Sequence, residues 1–121
     1  MIKFTVGDLK DMHARLDTFT NFLRLADVAD DDIFLSRLVS CELITNVIRH
    51  GGDEAAFTGV LTGDKIYITI SADSLKSFDG EGNLPDVFAE SGRGLYIVKS
   101  ICGGGIERGD NGELQVYIKR H

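Results

Sequence analysis

The sequence predicts an α/β two-layer sandwich: a mixed, mostly antiparallel sheet with its helices on one face. Period-2 and period-3.6 apolar spacings alternate in the order strand, helix, helix, strand, strand, helix, strand, strand. Two strand pairs are joined by short polar turns, Thr62-Gly63-Asp64 and Asp110-Asn111-Gly112, so antiparallel hairpins lie next to helices. The 121 residues suffice for one domain, residues 1–121, burying roughly two-thirds of its unfolded surface around a single core.

Met1 to Val6 alternates apolar and polar residues, as a half-buried strand does. Asp8 is placed to cap a helix from about Leu9 to Ala26, with Met12, Leu16, Phe19, Phe22, Leu23 and Ala26 at helical spacing. His13 on this helix reads as an exposed residue. Asp30-Asp31-Asp32 puts carboxylates at the positive end of the next helix dipole, and that helix should run from about Asp31 to His50, where Gly51-Gly52 forms a glycine cap. Ala55 to Leu61 and Lys65 to Ala72 form the first hairpin, the second arm alternating Ile66, Ile68 and Ile70 with Tyr67, Thr69 and Ser71.

From Asp73 to Glu90 the periodicity dissolves around Pro85, Gly80, Gly82 and Asn83, with a single helical turn expected over Leu84 to Phe88. A connection of this length inside a compact domain is usually functional. Ser91-Gly92-Arg93-Gly94 opens a last helix carrying Leu95, Ile97, Val98 and Ile101, which Gly103-Gly104-Gly105 stops. Ile106 to Arg108 and Leu114 to Lys119 complete the second hairpin.

A composition of 43% apolar and 26% charged residues is that of a soluble globular protein. The net charge of −6 argues against sequence-independent binding to nucleic acid, which needs a basic surface, and suits a basic protein partner. Cys41 and Cys102 have no CxxC or His/Cys cluster beside them, so free thiols in a reducing compartment are expected. With no apolar run long enough to span a membrane and no signal-peptide core, the chain reads as cytoplasmic.

The residues that could carry chemistry fall in three places. Glu42, Asn46 and His50 are four apart, so on a regular helix they form one polar stripe, while Leu38, Leu43, Ile44, Val47 and Ile48 make the same helix fit for burial. A glutamate there can act as a general base, and an amide oxygen suits a hard cation such as Mg²⁺. Asp73 follows the strand ending at Ala72, where a carboxylate can accept hydrogen bonds from an amino group such as that of adenine. Gly92-Arg93-Gly94 sits at a helix start, where free N–H groups and the dipole favour phosphate. Taken singly, each has a bland reading: a solvated helix face, a turn-forming aspartate, a tight loop-to-helix turn.

Together and in this order they resemble the Bergerat-type (GHKL) ATP-binding fold, shared by gyrase and histidine-kinase ATPase domains. Glu42-Leu43-Ile44-Thr45-Asn46-Val47-Ile48-Arg49-His50-Gly51 looks like its N box in the form used by bacterial anti-sigma-factor serine kinases, and Ser91-Gly92-Arg93-Gly94-Leu95-Tyr96-Ile97-Val98 like its second glycine box. The resemblance spans nearly the whole chain. It implies ATP and Mg²⁺ as cofactors, with Glu42 as general base, Asn46 as Mg²⁺ ligand and Asp73 as reader of the adenine amino group. Gly92, Arg93, Gly94 and Leu95 would lie along the phosphate-covering turn, and His50 at the end of the N box. One departure follows Asp73: the family continues D-x-G-x-G, whereas Leu75 stands here where the first glycine is expected, and Asp79-Gly80-Glu81-Gly82 is a displaced substitute.

The resemblance implies a serine/threonine protein kinase that phosphorylates a STAS-domain antagonist and sequesters a sigma factor or other regulatory protein, working as a homodimer. The alternative is a non-catalytic interaction module with a degenerate nucleotide site, which Leu75 favours. A histidine-kinase catalytic half fits poorly, because His13-Ala14-Arg15-Leu16 does not look like a phosphoacceptor box. A free-standing ATPase would use Glu42 on water.

Overall fold

A computed structural model describes residues 1–51, 54–72, 92–103, 106–109 and 113–121, with backbone alone at 50, 51, 92–96 and 108. The order of elements is β1 (Ile2–Val6), α1 (Leu9–Leu25), α2 (Asp30–Asn46), a π-helical turn (Val47–Gly51), β2 (Ala55–Leu61), β3 (Lys65–Ser71), α3 (Gly92–Cys102), β4 (Ile106–Arg108) and β5 (Leu114–Lys119). The turns expected at Leu84–Phe88 and Asp110–Gly112, and the glycine cap residue Gly52, lie outside the described residues.

α1 begins where Asp8 accepts the backbone N–H of Asp11 at 2.6 Å, the cap its sequence predicts. Met12, Leu16, Phe19 and Leu23 then recur at helical spacing and are buried. The helix closes on Asp27 in the left-handed conformation, φ 60°. The N–H of Val28 bonds the carbonyl of Leu23 and that of Asp27 the carbonyl of Arg24, both at 3.1 Å, which satisfies carbonyls the helix end leaves open.

α2 is the central helix, packed on α1, α3, β3 and β5. Its starting residues divide. Asp30 and Asp31 are exposed and interact favourably with the dipole, but Asp32 is fully buried and bonded to His121. Ser36 and Ser40, also buried, donate to the carbonyls four residues back at 2.7 Å each, so neither hydroxyl is left unpaired inside the core.

The sheet order is β1-β2-β3-β5-β4, and every ladder is antiparallel, the limiting case of the mostly antiparallel sheet expected. Its inner face is apolar: Phe57, Ile66, Ile68, Ile70, Leu114, Val116 and Ile118 are buried beneath the helices. Phe57 stacks on Phe4 at 4.5 Å and meets Phe19 edge-on at 4.9 Å, tying α1 to β1 and β2. Gly59 admits that ring, because a Cβ there would lie 2.9 Å from Phe19 Cε1. The helices therefore cover one face of the sheet, an α/β two-layer sandwich. Among the described residues no helix is long and apolar enough to cross a membrane.

Candidate functional site

The candidate site lies on α2 and α3, which pack against each other. Glu42 and Asn46 lie one turn apart in the last regular stretch of α2, as their spacing predicts, and α2 and α3 pack together. That packing brings the helix bearing Glu42 and Asn46 beside the helix that Gly92, Arg93, Gly94 and Leu95 open. Of those four residues the backbone is described, and it is helical from Gly92.

The expected continuous helix to His50 does not form. α2 is regular to Asn46 and then widens into the π turn Val47–Gly51. A π turn carries more than four residues per revolution, so the four-residue step from Asn46 to His50 no longer points both residues along one line. The stripe thus holds for Glu42 and Asn46 and breaks before His50, whose side chain is outside the described residues. Single π turns of this kind are frequent at functional sites.

Asp73 also lies outside the described residues. Its neighbour Ala72 is buried at 6% exposure, at the end of the central strand β3.

The two α2 side chains differ in environment. Glu42 is half-buried, whereas Asn46 is only 3% exposed. The Nδ2 amino group of Asn46 is buried and has no hydrogen-bond partner among the described residues. A buried polar group without a partner costs about 1–3 kcal/mol. A carboxamide presents a donor and an acceptor of nearly equal size, and rotation about its last bond exchanges them. In one orientation Asn46 offers a proton to a phosphate oxygen or water, and in the other an oxygen to a hard cation. The orphaned amide therefore fits a Mg²⁺–nucleotide group. Among the described residues no three His, Cys, Asp or Glu side chains gather as a metal cluster, so a cation here would rest on Asn46, water and phosphate oxygens.

Other features stand apart from this site. An open groove of about 770 Å³ between α1 and α2, lined by Asp17, Arg24, Phe34 and Arg37, lies at the opposite end of α2. Burial pushes the Cys102 thiol on α3 up to about 11, so it stays protonated and packs as an apolar group. The π turn and the burial of Asn46 were not predicted. Gly51-Gly52 in the sequence signals the end of a helix but not its widening, and burial depends on tertiary packing that the local sequence does not specify.

No family model matches the chain, and no curated protein matches it. In structure it is similar to a chain of the SiaB–SiaC complex from Pseudomonas aeruginosa, with a TM-score of 0.58 at 10% sequence identity, over 99% of this chain and 89% of that one. At that identity the likeness is one of fold, and it extends across both layers.

Proposed function

We propose that residues 1–121 form one ATP-binding domain of the Bergerat type, acting as a serine/threonine protein kinase of the anti-sigma kind on a regulatory protein partner. The observation that carries this reading is the buried amide of Asn46, unpaired among the described residues, one turn from Glu42 and on the helix packed against α3. Asn46 would hold Mg²⁺ through its carboxamide oxygen. The N–H groups at the start of α3, from Gly92 to Leu95, would face phosphate, with Arg93 adding a charge-assisted contact. Asp73 would accept the adenine amino group, and His50 would border the nucleotide from the π turn.

Mg·ATP, when bound, supplies a phosphoryl group whose transfer depends on positioning and charge neutralisation. The chain's own part is to orient the partner's hydroxyl and take its proton. Glu42 is suited to that, being half-buried and thus open to an incoming side chain. A protein partner suits both the acidic surface and the structural neighbour, which is part of a complex of two proteins. A STAS-domain antagonist and a sigma factor are the partner classes the resemblance implies.

The second reading is a protein-binding module with a worn nucleotide site, favoured by Leu75 in place of a glycine. Equilibrium binding of Mg·ATP separates the two. The native chain is expected to bind at or below millimolar nucleotide and Asn46→Ala to lose at least tenfold in affinity. If the native chain does not bind, the kinase reading is lost.

A further inference from the structure

The described helices cover one face of the sheet, and the strand register arranges the other face in rows running across the strands. Tyr67 on β3 lies opposite Tyr117 on β5, with ring centroids 6.0 Å apart and ring planes tilted by 51°. On one side of this pair Lys65 lies opposite Lys119, with the Lys65 Nζ 4.7 Å from the centre of the Tyr117 ring. On the other side Gln115 lies between Thr69 and Glu107, and its Nε2 donates to Thr69 Oγ1 at 3.3 Å, which fixes the amide. Lys65, both tyrosines, Gln115 and Glu107 line one hollow of about 430 Å³, and a smaller one of about 120 Å³ continues it to Glu113. The cleft thus runs from ammonium groups, across aromatic rings, to carboxylates. Lys3 shares the row of Thr58, Thr69, Gln115 and Glu107, but it lies three strand spacings from Gln115, roughly 14 Å, and outside the cleft.

We propose that this cleft binds a guanine mononucleotide, at a site separate from the one on α2 and α3. Lys65 and Lys119 take the phosphate through charge-assisted hydrogen bonds, the base lies against the tyrosine rings, and Glu107 reads its edge. Lys119 and Gln115 are four residues apart on β5, about 13 Å along the strand. A mononucleotide covers that distance from its phosphate to the far edge of its base, counting a hydrogen bond at each end. Guanine is the base whose edge carries two neighbouring donors, N1–H and N2–H, and the two oxygens of one carboxylate match them as they match a guanidinium. Adenine would turn its N1 acceptor towards the carboxylate and leave both unpaired.

The order of these groups selects this ligand over others. Inorganic phosphate would use the lysines and leave the rings and carboxylates unmatched. A cationic ligand would meet the lysines and, at Tyr117, an ammonium already over the ring. A single strand of nucleic acid would stack on the rings, but it would carry further phosphates past Glu107 and Glu113 on a chain of net charge −6. A mononucleotide has its charge at one end and its donors at the other, so it answers both ends of the cleft. With Tyr67, Gln115 and Tyr117 only half-buried the site is open, and a dissociation constant of about 0.1 mM is expected.

NMR titration of the full chain with GMP, in the absence of Mg²⁺, tests this. The native protein is expected to bind GMP at least about tenfold more tightly than AMP, which presents the wrong edge, and less tightly at high salt. Lys65→Ala combined with Lys119→Ala should weaken GMP about tenfold and remove the salt dependence, while the preference over AMP remains. Glu107→Gln should remove the preference over AMP and keep the salt dependence. Tyr117→Ala should weaken both nucleotides by about tenfold or more. Unfolding would remove both ligands alike, so it cannot produce the two selective losses. Asn46→Ala should leave GMP binding unchanged, which separates failure here from failure of the ATP reading. No binding at millimolar GMP, AMP or inorganic phosphate binding as tightly as GMP, or GMP binding that Asn46→Ala removes and Glu107→Gln does not alter would each overturn the proposal.

Discussion

The two ends of α2 each bury a polar side chain and treat it in opposite ways. At the first end, Asp32 is inaccessible to solvent and fully partnered: the backbone N–H of His121 donates to one carboxylate oxygen at 2.7 Å, and the His121 Nδ1 lies 2.7 Å from the other. At the far end, Asn46 is nearly as deep, and its amino group meets nothing among the described residues. Burial of a polar group is tolerated where hydrogen bonds replace those lost to water. Asp32 meets that condition inside the chain and so holds the chain's last residue against α2. Asn46 does not meet it among the described residues.

If the far end is the working end, its largest effect is on rate. Under the kinase reading Glu42→Ala should lower phosphoryl transfer to a protein substrate by about 10²–10⁴-fold and leave nucleotide affinity nearly unchanged, because a base acts mainly in the transition state. Single-turnover assays with labelled ATP measure this, and transfer at the native rate would remove Glu42 from the role.

At the partnered end the effect is on stability and on its pH dependence. Burial alone pushes the Asp32 carboxyl up. The hydrogen bonds from the His121 backbone and ring, with the His121 and Arg120 charges, outweigh it and hold the group below its ordinary value. A carboxyl held low in the folded chain contributes stability above its unfolded value, near 3.9, and loses that contribution as pH falls through the folded value. Asp32→Asn keeps the shape and removes the charge. It should cost about 1–2 kcal/mol at pH 7 and progressively less in the acid range, measured by urea unfolding at several pH values. A difference between the two proteins that grows on acidification would reverse the sign assigned here.

Asn46→Leu probes the same contrast from the other side. Replacing an amide that is unpaired among the described residues by an apolar group of similar size should leave the nucleotide-free chain unchanged or up to about 1 kcal/mol more stable. The same change at a satisfied position would be costly. Thermal unfolding without ligand decides it, and a loss of several kcal/mol would mean that Asn46 is bonded internally after all.

Much of the partnership at these ends could not be read along the chain. The strands β2, β4 and β5 fall at the boundaries that the flanking turn signals predict, and Asp8 caps α1 as its position before an apolar periodic run implies. These are local signals. Asp30-Asp31-Asp32 reads locally as a dipole-compensating helix start, but the burial of Asp32 depends on His121, 89 residues later. The four-residue spacing of Glu42, Asn46 and His50 is local too, and it is correct until the π turn changes the period under it. Likewise, alternation identifies Tyr67 and Tyr117 as outward residues of their strands, whereas their meeting depends on β3 pairing with β5 across an intervening helix and strand.

The smallest effect expected concerns the turn that leads into the partnered end. Asp27 is held at φ 60°, where a Cβ crowds the backbone, and aspartate tolerates this region better than most residues because its short side chain can bond locally. Glycine removes the crowding but gives the unfolded chain more freedom, about 0.5–1 kcal/mol in the opposite direction. The two contributions nearly cancel, so Asp27→Gly should stabilise by no more than about 0.5 kcal/mol, roughly 2–3 °C in Tm for a chain of this size. Asp27→Ala keeps the Cβ and puts there a residue type that tolerates this region less well, so it should destabilise by about 1 kcal/mol. Val28 and Leu23, whose backbone bond closes the turn, are both buried, so the change should be confined to the turn and leave the pH dependence set by Asp32 as it was. Thermal unfolding of both variants at pH 7 and pH 4 measures it, and a Gly variant less stable than the Ala variant would show that backbone strain at Asp27 is not what limits this turn.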